Sequence, residues 1–342
     1  MTGFESDSCR RPRRKDDGSA VAVWTEKEFL KGKLLDAGVI ILRTGGCSHF
    51  HTGGCSMCGY NTVSKMGISA EHIVKQFERA LPGIGDVQVL KIYTSGSFLD
   101  KAEVPEEAAR RILEECSSRG MRLLVESRPE YVTGERVDQI LSVHDDLEIA
   151  IGFESANDKV LRYSINKGFT VADYDLAADI LNERKVDLRS YVLIKPPFLT
   201  EAEAIADAVA TVKHAARTSA TISINAVNVQ KGTVVDKLWR NWAYRPPWLW
   251  SVLQVVRASE DFGVKVVCDP VGGGSIRGAH NCGECDQTII DGLKDFSISQ
   301  NRSRLGSKDC SCKDMWNMIL DIEGLVTGGT CDLQRFFRSQ RR

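Results

Sequence analysis

Short unbroken apolar runs alternate along this chain with longer stretches in which apolar residues recur at helical spacing. Val39-Ile-Ile-Leu42 is such a run and predicts a buried strand. Ser69 to Leu81 follows with Ile73, Phe77 and Ala80 on one helical face and Ser69 as its N-cap. The alternation then repeats. Strands are predicted over Val87–Tyr93, Met121–Glu126, Leu147–Phe153, Leu188–Ile194 and Thr221–Val229. Between them, helices are predicted from Pro105 to Ser118, over Val137–Val143, near Asp158–Tyr163, over Val171–Arg184 and from Glu201 to Arg217.

Six strands alternating with helices imply parallel βαβ units with right-handed crossovers, a series that closes or partly closes into a barrel. The expected fold class is therefore α/β, a partial (β/α)6 barrel. Polar and glycine residues gather just after the strands: the loop after Leu42, Thr94–Ser97, Glu126 with Arg128, Glu154 and Lys195. That end of a (β/α) barrel is where active sites are built. Three regions are expected: a basic extension over 1–34, the barrel core over 35–235, and an aromatic- and cysteine-rich extension over 236–342.

Composition narrows the function classes. Lys and Arg number 45 against 46 Asp and Glu, so no overall field attracts nucleic acid. The basic residues are uneven, however. Arg10, Arg11, Arg13, Arg14 and Lys15 crowd one end, and Arg335, Arg338, Arg341 and Arg342 the other, as solvated tails or as phosphate contacts. The first twenty residues hold no apolar signal-peptide core, and no stretch approaches the ~20 apolar residues of a membrane span. A cytoplasmic location is expected, where eleven cysteines point to metal or chemistry more than to disulfides.

Cys47, Cys55 and Cys58 lie within twelve residues of a glycine-rich loop. Three thiolates cannot complete a four-thiolate iron–sulfur site. A [4Fe-4S] cluster held by them keeps one iron open, the arrangement that binds S-adenosyl-L-methionine (SAM) and cuts it to a carbon radical. The competing reading is a zinc loop that borrows His49 or His51. Farther along, Cys282-x2-Cys285 and Cys310-x-Cys312 form two close pairs that suit tetrahedral Zn2+, with a second iron–sulfur cluster, unligated thiols or a His280 substitution as alternatives. Cys9, Cys116, Cys268 and Cys331 are scattered and read as incidental. Trp239, Trp242, Tyr244, Trp248 and Trp250 interleave with Arg240 and Arg245. This pattern serves either as a base-stacking, phosphate-gripping surface or as a hydrophobic hinge seating the extension on the barrel.

Taken together, these strings resemble the radical SAM superfamily. Within it the chain is similar to the archaeosine-biosynthesis radical SAM family, and more distantly to the radical SAM half of the elongator catalytic subunit. The resemblance rests on Gly45-Gly-Cys47-x7-Cys55-x2-Cys58-Gly-Tyr-Asn61, Glu126-Ser-Arg-Pro-Glu130, Gly152-Phe-Glu154-Ser-x-Asn-Asp158, Asn166-Lys-Gly-Phe169 and Lys195-Pro-Pro197, across about 35–235. Pro246–Trp250 and Arg277–Cys282 resemble the archaeosine family rather than elongator. The cysteine spacing of seven then two departs from the superfamily's usual three then two, as the archaeosine family does.

The resemblance implies that Cys47, Cys55 and Cys58 ligate the cluster, and that Met57 packs on the adenine of SAM with Tyr60 beside it. Ser95, Gly96 and Ser97 stand where a glycine-rich turn holds the methionyl amine. Glu126 and Glu154 would accept hydrogen bonds from the ribose or amine, and Lys167 falls where relatives place an arginine against the SAM carboxylate. The implied activity is a carbon–nitrogen lyase acting on tRNA. It would cleave a lysine adduct of 7-cyano-7-deazaguanine at position 15 in the D-loop to give archaeosine, after a partner archaeosine synthase subunit has attached the lysine. An electron donor is implied and no membrane. The rival readings are an elongator-like enzyme modifying wobble uridine, a zinc-bound tRNA-binding module without catalysis, and a radical enzyme for a small molecule.

Overall fold

The computed structural model describes residues 18–306 and 309–326. The basic residues at both ends, with Cys9 and Cys331, lie outside them. Eight strands form one sheet in sequence order: β1 (Ala22–Leu30), β2 (Lys33–Ile41), β3 (Val89–Tyr93), β4 (Arg122–Ser127), β5 (Leu147–Glu154), β6 (Asp187–Ile194), β7 (Thr221–Ala226) and β8 (Lys265–Val267). From β2 to β8 every neighbouring pair is parallel. The fold class is the expected α/β partial barrel, with two strands more than the six expected.

Both extra strands lie across the expected region boundaries. β1 falls inside 1–34 and pairs antiparallel with β2 through a two-residue turn at Lys31 and Gly32, both at positive φ. β8 falls beyond residue 235 and pairs with β7. β1 binds the sheet through charge as well as through its ladder. Its Glu28, buried, takes hydrogen bonds from Lys91 on β3 at 2.5 Å, from Arg189 on β6 at 3.1 Å and from Lys265 on β8. Burial alone would raise the Glu28 carboxyl, but the three cations outweigh it and hold it well below the usual carboxylate range.

The helices that cover the sheet are α1 (Ala70–Ala80), α2 (Glu106–Arg119), α3 (Gly134–Leu141), α4 (Val171–Glu183) and α5 (Glu201–Ala215), each close to its expected position. Ser69 caps α1, and capping boxes Thr170/Asp173 and Thr200/Glu203 start α4 and α5. Pro105 is the N-cap of α2 rather than part of its first turn. The helix expected near 158–163 is a π-helical turn, Val160–Ile165, and β7 ends at Ala226, not Val229. Phe77, Phe98, Phe153 and Tyr174 fill the core, with the last two rings stacked at 3.7 Å.

The extension packs onto this barrel through α6 (Val234–Arg240), α7 (Leu249–Ser259), α8 (Asp286–Ser299) and α9 (Cys312–Val326). Trp248 and Trp250 are buried in the main core, so that half of the aromatic segment is a hinge. No described helix is long and apolar enough to cross a membrane.

Candidate active site at the barrel mouth

The loop from Cys47 to Cys58 leaves β2 at the C-terminal end of the parallel strands, where Glu126 and Glu154 also end theirs. The loop is tied down along its length. Ser48 Oγ and the Tyr131 hydroxyl share a hydrogen bond of 2.6 Å, and Ser56 N–H and Oγ donate to the carbonyls of Ile165 and Ser164 at 2.8 Å each. Asn166 Nδ2 donates to Gly54 O at 2.8 Å, while His49 Nε2 bonds Asn166 O at 2.7 Å. A Cβ at Gly168, which sits at φ +79°, would lie 2.5 Å from the His49 ring. His49 is thus spent on holding the loop. Among the described residues, Cys47, Cys55 and Cys58 join no group of ligand atoms tight enough for a single ion, with His49, His51 or otherwise. A four-iron cube is wider than one ion, and three thiols set apart suit it better.

The thiols also need positive charge to ionise. Burial raises the Cys55 thiol despite nearby Lys167, and burial pushes Cys58 up to about 11. Ligated metal supplies what keeps such thiolates charged. The donor set and its setting therefore fit a cluster.

The turn after β3 touches the loop directly. A Cβ on Gly96 would sit 2.7 Å from both Cα and Cβ of Cys47, so glycine is required there by contact, not by φ. Glu103 holds the turn: its carboxylate accepts from the N–H groups of Ser95 at 3.0 Å, Gly96 at 2.9 Å and Ser97 at 2.6 Å, and from Thr44 Oγ1 at 2.8 Å. With the N–H groups consumed, the carbonyl oxygens of the turn are what it can offer an ammonium, Ser97 O already accepting from Asp100 N–H at 3.3 Å. Ser97 Oγ accepts from Arg128 N at 2.8 Å and is structural.

The structure brings together the two acidic strand ends and Lys167. Glu154, at φ +67° and buried, receives Lys167 Nζ at 2.9 Å. Burial alone would lower the Lys167 ammonium, but Glu154 and the Cys55 thiol reverse this and raise it. Glu126 is not paired with Arg128, which bonds Glu130 at 2.5 Å and Lys167 O at 3.1 Å. Burial pushes the Glu126 carboxyl up to about 7, against a hydrogen bond from Tyr191 and with added push from Glu103 and Glu154. Met57 packs with Cys55 on a small apolar cluster that includes Leu161, Ile165, Leu199 and Val235. Tyr60 is 59% exposed. Sequence reasoning missed Glu103 and Asn166. Glu103 had no spacing motif to mark it, whereas Asn166 stood inside a recognised string.

The second cysteine group is compact. The sulfurs of Cys282, Cys285, Cys310 and Cys312 all lie within 4.8 Å of one another, with Cys282···Cys310 and Cys285···Cys312 at 3.6 Å. Tetrahedral thiolate zinc places sulfurs ~3.8 Å apart. Backbone N–H groups of Glu284 and Cys285 bring the Cys282 thiol down to about 7, while burial raises Cys285 and Cys312. Trp250 Nε1 donates to Cys312 Sγ and Asn281 Nδ2 to Cys285 Sγ, at 3.2 Å each. His280 is outside the group: its Nδ1 bonds Gly278 O at 2.8 Å. Arg245 is committed to structure, with its guanidinium 4.0 Å over Trp248 and bonded to the carbonyls of Pro246 and His280.

The chain is 40% identical over 316 residues to archaeosine synthase subunit beta of Methanosarcina acetivorans, covering 90% of this chain and 91% of that protein. It is 38% identical over 310 residues to the subunit of the same name from Thermococcus kodakarensis, covering 87% and 96%. The chain belongs to the archaeosine synthase subunit beta family. No protein-family model matches it. Among solved structures, a radical SAM methyltransferase from Sphaerobacter thermophilus is similar with a TM-score of 0.49 at 14% identity, over 71% of this chain and 68% of that one.

Proposed function

We propose that this chain is the radical SAM lyase of archaeosine formation, breaking the carbon–nitrogen bond of a lysine adduct of 7-cyano-7-deazaguanine at position 15 of the tRNA D-loop. The observation that carries the reading is the three-thiol loop at the barrel mouth, in a chain that aligns nearly end to end with archaeosine synthase beta subunits. When bound, a [4Fe-4S] cluster with SAM on its open iron supplies an electron and a carbon radical, which can take a hydrogen that no side-chain base can remove.

The residues of the chain do the rest. Cys47, Cys55 and Cys58 hold the cluster, and Gly96 lets the turn close over Cys47. The carbonyls of that turn accept the methionyl ammonium, and Glu126 accepts from the ribose or amine. Glu154 and Lys167 act as one neutral pair that offers a cation edge to the SAM carboxylate. Met57 and Tyr60 flank the adenine. The barrel wall excludes water and holds the lysyl carbon within near-attack distance. Cys282, Cys285, Cys310 and Cys312 hold a structural Zn2+ that fixes α8 and α9. A partner subunit supplies the lysine adduct, an electron donor reduces the cluster, and the protein works in the cytoplasm.

The test is anaerobic incubation of the iron-loaded protein with SAM, reductant and tRNA carrying the lysine adduct, followed by nucleoside mass spectrometry. Archaeosine is expected. Equal turnover of the free adduct nucleoside would replace the tRNA reading with a small-molecule enzyme.

A further inference from the structure

Outside the barrel, a cavity of about 860 Å³ opens between the β6–α5 loop, the segment after α6 and the loop before α8. Lys195, the first residue after β6, lines it, so it lies on the mouth side of the sheet. One wall is Leu199, Trp239 and Tyr244, which also pack in the apolar cluster that holds Cys55 and Met57. The cavity therefore adjoins the cysteine loop without opening into it.

Its rim is unusual in backbone and in side chain. Lys195, Phe198 and Trp242 all sit at positive φ: +60°, +71° and +59°. Trp242 is the clearest of the three. Ala243 N–H donates to Leu238 O at 2.9 Å and Trp242 N–H to Trp239 O at 3.1 Å, the paired bonds of a Schellman stop on α6. The left-handed position of that motif is normally glycine. Here it holds tryptophan, and the indole gains no packing in return, being 96% exposed. Strain kept where no contact rewards it points to function.

The neighbouring groups say what kind. Phe198 is 44% exposed. Arg240, with a side chain 59% exposed, keeps one ion pair, through Nε to Asp236 at 3.1 Å. His280 bonds the Gly278 carbonyl through Nδ1 at 2.8 Å, which leaves Nε2 as the acceptor of that ring. The acidic residue on the wall, Glu323, is engaged elsewhere, accepting from Glu201 N–H at 2.6 Å. Exposed aromatic faces beside an arginine and an imidazole acceptor make a site for a base and its phosphate.

We infer that this cavity binds one unpaired nucleotide of the RNA substrate, its base stacked on Trp242 and Phe198, its phosphate at Arg240, and a ring N–H or amino group donating to His280. The nucleotide is a neighbour of the reacting base, because the packed cluster separates the cavity from the cysteines. The inference rests on the tRNA reading above, and it fixes where the RNA crosses the rim.

The experiment measures binding of a tRNA transcript to the full, iron-loaded chain across a salt series. Trp242→Gly relieves the backbone strain, so its melting temperature should equal or exceed that of the unaltered protein. Its RNA affinity should fall by about 5- to 150-fold, the range for losing one stacked base. Trp242→Phe should stay within about threefold of the parent. Arg240→Gln should lower the slope of log affinity against log salt by about one.

Trp242→Gly binding RNA like the parent would overturn the inference and leave the tRNA reading standing. A drop in melting temperature alongside the affinity would make Trp242 structural and also overturn it. So would intact RNA binding with loss of association to the lysine-transferring subunit, which would make the rim a protein-docking surface. Failure of the unaltered protein to bind the transcript would sink both readings together.

Discussion

The two cysteine groups of this chain are built to opposite specifications. At the extension, four sulfurs converge within 4.8 Å of one another, enough ligands for a closed tetrahedral site, steadied by hydrogen bonds from Trp250 and Asn281. At the barrel mouth, three thiols stand on a loop held by Ile165, Asn166 and Tyr131, and among the described residues they join no compact ligand group. A closed set has no position left for a substrate. An incomplete one does, and it is placed where the strand ends supply carboxylates. On the proposed function, the contrast separates a group that holds structure from one that holds a reactant, and each side of it can be attacked.

The largest expected effect is at the open group. Cys55→Ala, purified without oxygen, should lose the brown chromophore and SAM cleavage by ~10³-fold or more, since a three-thiolate site has no ligand to spare. Full iron and activity in that variant would erase the contrast. At the closed group, Cys282→Ala or Cys310→Ala should remove zinc and cost several kcal/mol of folding free energy, about a whole domain's margin, because metal binding there is folding energy. Whatever stays soluble should keep its iron signal. Zinc absent from the native protein by elemental analysis would refute the assignment.

A smaller change tests whether the mouth is shaped around the loop. Gly96→Ala drives a methyl to 2.7 Å from Cys47, so cluster occupancy or SAM cleavage should fall ~10²-fold while the zinc content holds. Glu126 sets the mildest test. Its proton is held up to about pH 7, and an ammonium or hydroxyl ligand prefers the ionised form. SAM affinity should therefore fall as pH drops below about 7, in isothermal titration. Glu126→Gln should lose that step and bind ~10-fold more weakly at pH 8. An unchanged step in the variant would assign the titration to another group.

Much of this was readable from the chain. The six parallel strands β2 to β7 were legible because strands buried on both faces read as unbroken apolar runs. The compact group of Cys282, Cys285, Cys310 and Cys312 was legible from spacing alone. β1 was not: Ala22–Leu30 is an edge strand with five exposed positions in its middle, so Trp24, Glu26 and Glu28 looked like tail rather than sheet. β8 is three residues long and gave no period. Spacing also could not show that Lys167 faces Glu154, or that Arg245 would be absorbed by Trp248 while Trp242 stayed bare. Those outcomes depend on which helix packs where. Glu103 shows the same limit from the other side, because a carboxylate that organises three backbone N–H groups looks, in sequence, like any surface glutamate.

Glu28 makes the order of synthesis matter. Its strand leaves the ribosome early, yet Arg189 follows it by 161 residues and Lys265 by 237. Until β6 and β8 exist, the carboxylate has only Lys91 as a cation from the sheet, and the end of the barrel opposite the cysteine loop stays unsealed. The earliest of the described strands is thus among the last to be secured, and the clasp closes only once β8 has been made. A truncated product ending before Lys265 would carry an intact cysteine loop on a barrel whose opposite end was still ajar. Protease sensitivity of the β1–β2 hairpin would tell the two apart.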